Sequence, residues 1–124
     1  MRMLVCGGRD YSDRDALFAK LDEYLAKFGS LLIISGKAPG ADTLAEEWAR
    51  SRGASFHGFR ADWQKHGKAA GPIRNQNMLD KGDPHLVLAF PGGRGTEDMV
   101  TRANAAHVPV VRVVPLPAGV REGT

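Results

Sequence analysis

Cysteine is nearly absent from this chain: Cys6 stands alone, which excludes an intrachain disulfide and any zinc site built from several cysteines. No apolar run approaches the ~18 residues that a membrane span requires. The start, Met1-Arg2-Met3-Leu4-Val5-Cys6, is too short for the apolar region of a signal peptide and runs into glycine, so a cytoplasmic protein is the expectation. The excess of one sign of charge is also small. The net charge of +3 permits contact with a polyanion but does not argue for one, and 7% aromatics supply a poor stacking platform for single-stranded DNA. The four histidines, His57, His66, His85 and His107, sit on separate segments with no HExxH pairing, so no metal is expected.

Familiar nucleotide and hydrolase signatures are missing as well. A Walker A loop ending at Gly36-Lys37 needs glycine where Leu31 stands, and a GxGxxG from Gly93 needs it where Asp98 stands. The GxSxG elbow fails in the same way, because Ile33 occupies its first glycine position ahead of Ser35.

What the chain does have is glycine, 15 in 124 residues, and the glycines follow apolar runs of strand length. That length is one domain, expected over residues 1–114, with an irregular and mobile tail over 115–124. Met3–Cys6 ends in Gly7-Gly8-Arg9-Asp10-Tyr11; Ser12 and Asp15 then look like a capping box, and Leu17, Leu21, Tyr24, Leu25 and Phe28 form a helical stripe stopped by Gly29. Leu31–Ile34 is a strand covered on both faces, followed by Ser35-Gly36-Lys37-Ala38-Pro39-Gly40-Ala41-Asp42 and a helix carrying Leu44, Ala45, Trp48 and Ala49. A third strand is expected over 55–59, a loop over 61–71, and a helix from Pro72 to Gly82. His85–Phe90 is a fourth strand, Pro91-Gly92-Gly93-Arg94-Gly95-Thr96 another glycine turn, and Glu97 to about Ala106 a helix. Val108–Val114 is the last strand, with Pro109 hinting at an edge.

This alternation predicts an α/β, Rossmann-like three-layer fold with a five-stranded parallel sheet in the order 3-2-1-4-5. Ligands of such sheets bind beyond the carboxyl ends of the strands where the order reverses, here between the first and fourth strands. Both end in paired glycines. Glycine lets backbone N–H groups approach a phosphate, and each following helix adds a partly positive N-terminus, so the turns together describe an anion cradle. Gly7, Gly8, Arg9, Ser35, Gly36, Lys37, Gly40, Asp42, Gly92, Gly93, Gly95 and Thr96 are its candidate ligand-binding residues. Arg74, behind Lys65, His66 and Lys68, sits on an anion-facing rim, and Trp63 offers a face to a purine or a cover for an apolar edge. Asp42 and Thr96 also suit helix N-caps, and acids at 97 and 98 suit a helix dipole while repelling a phosphate. Trp48 reads as core and Cys6 as a small buried hydrophobe.

Four segments in order carry a resemblance: Gly7–Tyr11, Ser35–Asp42, Ala61–Asn75 and Phe90–Thr96. On these residues the chain resembles the SLOG superfamily, which groups SMF/DprA and LOG proteins, and within it the YspA-like, cpYpsA-related branch. The resemblance implies a Rossmann-like domain that binds a nucleotide or a nucleotide derivative such as ADP-ribose, without a cofactor. LOG enzymes release the base from a nucleoside 5'-monophosphate through a PGGxGTxxE motif and an arginine from a preceding helix. Arg74 resembles that arginine, and Gly92, Gly93, Gly95 and Thr96 match the motif. Met99 stands where its glutamate belongs, which leaves Glu97 and Asp98 as candidate catalytic acids, and Lys37 stands where the branch often has glycine. A sensor or binding domain is therefore the first reading, LOG-like base release the alternative, and single-stranded DNA binding the least supported. LOG relatives imply a homodimer.

Overall fold

The structure, a computed structural model, describes residues 1–115. The tail expected from 115 onward lies outside the described residues from position 116.

Strand β1 (Arg2–Cys6) fixes the architecture because its alternate residues serve two cores. Met3 and Val5 point into one, with Leu17, Phe18, Leu21, Ile33, Trp48 and Phe90. Leu4 and Cys6 point into the other, with Ile34, Met78, Leu79, Val87, Met99 and Val100. A strand buried on both faces reads as a continuous apolar run, which is how these segments look in the sequence. β2 (Leu32–Ser35), β3 (Ser55–Gly58), β4 (Leu86–Ala89) and β5 (Val110–Arg112) complete one parallel sheet in the order β3-β2-β1-β4-β5. The predicted order and three-layer α/β fold are both present. β5 is an edge, and Pro109 stands just before it, where its carbonyl accepts from Val87 N–H at 2.9 Å and its missing N–H costs the ladder nothing.

Helices α1 (Arg14–Phe28) and α2 (Ala41–Arg52) supply the first core. Trp48 is fully buried there, and its indole N–H donates to Asp22 at 2.9 Å. Truncating a buried tryptophan to alanine costs ~3–5 kcal/mol, so this side chain is a main anchor of α2. α1 starts one residue later than the expected capping box: Asp13, not Ser12, caps it by accepting from Ala16 N–H at 3.1 Å. Gly29, at φ 81°, ends it as predicted.

The second core lies under α4 (Ala70–Gly82) and α5 (Arg94–Ala105). The stretch expected as a loop over 61–71 is more regular than its composition suggests. It holds a one-turn helix α3 (Trp63–His66), a 3-10 turn over Gly67–Ala69 and the start of α4. Asp62 nucleates it by accepting from Lys65 N–H at 3.0 Å, so Pro72 falls inside the first turn of α4 and not at its first position. Cys6 is buried, and burial pushes its thiol up to about 12, consistent with an inert core residue. No helix among the described residues is long and apolar enough to cross a membrane.

Candidate functional site

The chain leaves β1 for the helix layer on one face and β4 for the layer on the other, although the two strands are neighbours paired at Cys6 and Ala89. The connections diverge and open a crevice at the carboxyl end of the sheet. Glycine lets these connections interlock beneath it. Gly8 N–H donates to the Pro91 carbonyl at 2.8 Å, and the Gly8 carbonyl accepts from Tyr11 and Ala41 N–H, each at 3.2 Å. Gly40 adopts φ 81°, and a Cβ there would overlap the backbone of Gly8 and Arg9. A Cβ on Gly92 would overlap Thr96 Oγ1 and come within 2.7 Å of Gly8 N. These glycines bring three loops together by close packing, and the Gly8 N–H is consumed in doing so.

The crevice is a cavity of about 280 Å³. Of the residues singled out in the sequence, Gly7, Gly8, Arg9, Asp42, Arg74, Gly93, Gly95 and Thr96 line it. The first turn of α5 forms one wall. Gly93, and not Thr96, is its N-cap and offers no side chain, so the N–H groups of Arg94, Gly95 and Thr96 have neither an intrahelical acceptor nor a capping oxygen. Thr96 is buried inside that first turn.

Arg74 rises from α4 as a second cationic wall. Its Nη1 donates to the Gly36 carbonyl at 2.8 Å and its Nε to Asn75 Oδ1 at 3.1 Å. Burial lowers its pKa from the ordinary arginine value, with Arg9 adding to the effect and Asp42 and Asp98 opposing it. Asp42 faces it. Arg74 Nη1 and Asp42 Oδ2 each lie 3.0 Å from the point a Gly36 Cβ would occupy, so a larger residue there would press on both side chains. Asp42 is not the cap of α2, a position held by Gly40; its Oδ2 instead accepts from Ala38 N–H at 3.2 Å. Burial pushes its carboxyl up to about 6, against the lowering effect of the Ala38 hydrogen bond and of Arg74. Among the described residues no carboxylate forms an ion pair with Arg74.

The other singled-out residues lie outside the cavity wall. Glu97 turns outward and pairs with Arg112 through two bonds of 2.8 Å. Asp98 accepts from Asn75 Nδ2 and Arg102 Nε, both at 2.9 Å, and Met99, in the place of the missing glutamate, is buried in the second core. Ser35 and Lys37 both turn to the buried Glu46, each donating at 2.8 Å. Burial by itself raises Glu46, but these hydrogen bonds outweigh it and hold the carboxylate below its usual range. Lys37 makes this contact from φ 55°, and its stem lies against Gly58, where a Cβ would collide with it. Trp63 is exposed beside the crevice, with the Arg9 guanidinium 5.5 Å from its ring centroid.

Sequence reasoning missed Asn75 and Arg94, which also line the crevice, as does Asp10 of the first glycine turn. Asn75 is buried, and its amide also donates to the Gly95 carbonyl at 3.2 Å, which joins α4 to the first turn of α5. The signal lay in the adjacency Arg74-Asn75, a charged and an amide residue entering an apolar helix face together. A larger depression, about 510 Å³, lies outside α4 along Ala69, Pro72, Ile73, Gln76, Asn77 and Arg102. It is open, and its one cation already donates to Asp98 and Gln76, so the crevice is the candidate site.

Comparisons with known proteins agree with this fold. The model of the YspA, cpYpsA-related SLOG family matches residues 1–66. Gene 61 protein of Mycobacterium phage D29 is 38% identical over 120 residues, covering 89% of this chain and 94% of the phage protein. Among solved structures, DNA processing protein A (DprA) from Streptococcus pneumoniae superposes with a TM-score of 0.75 at 19% identity, over 95% of this chain. The match takes in 52% of DprA, so this chain spans about half the length of that protein, and the likeness is one of fold.

Proposed function

The chain belongs to the YspA, cpYpsA-related SLOG family, and from that membership together with the crevice we propose that it binds a nucleotide or nucleotide derivative as a receptor or sensor domain. The observation that carries this reading is the convergence of the uncapped first turn of α5 and the Arg74 guanidinium on one cavity. Both are suited to phosphate, the first through N–H groups and the helix dipole, the second through planar, charge-assisted hydrogen bonds. Asp42 and Asp10 on the remaining wall suit sugar hydroxyls, which donate to carboxylates and carry no charge to repel them.

Base release of the LOG kind has less support. A glycosidic hydrolysis needs a carboxylate at the anomeric carbon or its attacking water; Glu97 and Asp98, the acids nearest the place of the LOG glutamate, are both engaged away from the cavity, and the acids that do line it, Asp42 and Asp10, stand on other loops. Titration calorimetry with AMP and ADP-ribose tests the proposal, using Arg74→Ala as the control. Binding that this variant weakens at least tenfold supports it; no heat from any member of a nucleotide panel overturns it.

A further inference from the structure

The crevice volume of about 280 Å³ falls just below the ~300–1,000 Å³ usual for sites that enclose most of a drug-sized ligand. A space below that range leaves part of a nucleotide outside, at its mouth. Trp63 stands at that mouth, 48% exposed. Two contacts place it there. Arg9 belongs both to the cavity wall and to the face of the indole, 5.5 Å from the ring centroid. A Cβ at Gly71 would lie 3.4 Å from Trp63 Cη2 and 3.9 Å from Arg74 Nη2, so the indole edge and the guanidinium flank the same short piece of backbone.

The position of Trp63 is built into the fold. Asp62 caps the single turn that carries it, and that turn continues through Gly67–Ala69 into α4, the helix of Arg74. The other exposed aromatic among the described residues, Phe28, ends α1 just before β2, at the amino ends of the strands, and stacks on Tyr24. Among the described residues Trp63 has no such aromatic partner, and its ring face meets the Arg9 cation.

We infer that the ligand enters phosphate first and leaves its nucleobase outside the crevice, stacked on Trp63. This rests on the anion site proposed above and narrows its ligand to a nucleotide, as opposed to a bare sugar phosphate. Base-on-aromatic stacking of this kind tolerates different bases, because every base has a π-face.

The test compares AMP with ribose 5-phosphate by calorimetry and by indole fluorescence. The chain has two tryptophans, and Trp48 is fully buried in the first core, so ligand-dependent quenching reports Trp63. The expected result is AMP binding roughly 5- to 150-fold tighter than ribose 5-phosphate, with quenching by AMP alone. Trp63→Ala and Trp63→Leu should abolish that preference while leaving ribose 5-phosphate affinity unchanged, and Trp63→Phe should keep most of it. Equal affinity for the two ligands, or equal weakening of both by Trp63→Leu, overturns the stacking proposal and leaves the anion site standing. If neither ligand binds the wild-type chain, the anion site falls and stacking falls with it.

Discussion

Asp98 is tied to Arg74 through Asn75, whose Oδ1 accepts from Arg74 Nε at 3.1 Å while its Nδ2 donates to Asp98 Oδ2 at 2.9 Å. A cation on one helix and an anion on the other are thus joined by a neutral amide that can satisfy both. The arrangement leaves the Arg74 charge directed at the cavity without neutralising it there, which suits a receptor for anions.

Replacing Asn75 with Ala strands these partners in a buried setting. Leaving a buried polar group unsatisfied costs about 1–3 kcal/mol, so the variant should unfold at correspondingly lower urea with an unchanged slope. AMP affinity should fall with it, because Arg74 loses one of its two anchors. An unchanged midpoint would mean that the amide does not hold the helices together.

Gly93→Asp separates folding from binding. Nothing lies within 4 Å of a Cβ built there, and φ is −108°, so the side chain has room. Aspartate is also a better N-cap than glycine by a few tenths of a kcal/mol. The variant should melt no lower than the wild type, yet lose anion binding in calorimetry because a carboxylate now caps the N–H groups a phosphate would use. Retained affinity would locate the phosphate elsewhere.

Gly40 and Gly29 both adopt φ 81° but differ in ψ, −126° against −31°, and in what surrounds them. Around Gly29 a Cβ meets nothing within 4 Å, so Gly29→Ala should cost only the left-handed backbone penalty of ~1–2 kcal/mol. Gly40→Ala adds a collision with the backbone of Gly8 and Arg9 and should cost clearly more. Chemical denaturation of the two variants side by side decides the point; equal losses would show that the three loops have room to separate.

The Asp42 carboxyl, raised to about 6 from an ordinary value of 3.8, makes stability depend on pH. Between those values the folded chain holds a proton that the unfolded chain has released, so this group's contribution to stability falls as pH rises through the window. Glu46 acts with the opposite sign but only below its ordinary value of 4.5, because its carboxylate is lowered in the fold. Between pH 4.5 and 6, Asp42→Asn should therefore flatten the fall, and at pH 7 the variant should be more stable than the wild type. Parallel stability–pH curves for the two proteins would contradict the assignment.

Much of the fold was legible along the chain. Alternating apolar runs and glycine turns specify the strands of a doubly covered sheet, and the reversal of order between β1 and β4 follows from where the helices must pack. The glycine turns likewise marked the end of the sheet at which the crevice forms. The 61–71 stretch was misjudged because one capping aspartate and a 3-10 turn order a segment whose composition is that of a loop.

The directions of individual polar side chains were not legible, and the site depends on them. Glu97 finds Arg112 15 residues away, Asp98 finds Asn75 23 residues away, and Arg74 finds the Gly36 carbonyl 38 residues away. By itself the sequence determined the sheet, its order and the place of the crevice, because periodicity and turn chemistry are properties of neighbouring residues. Which charges face the crevice and which are consumed as structural pairs was decided only by the tertiary structure, because hydrogen bonding acts over a few ångströms in space between residues that chain position leaves far apart.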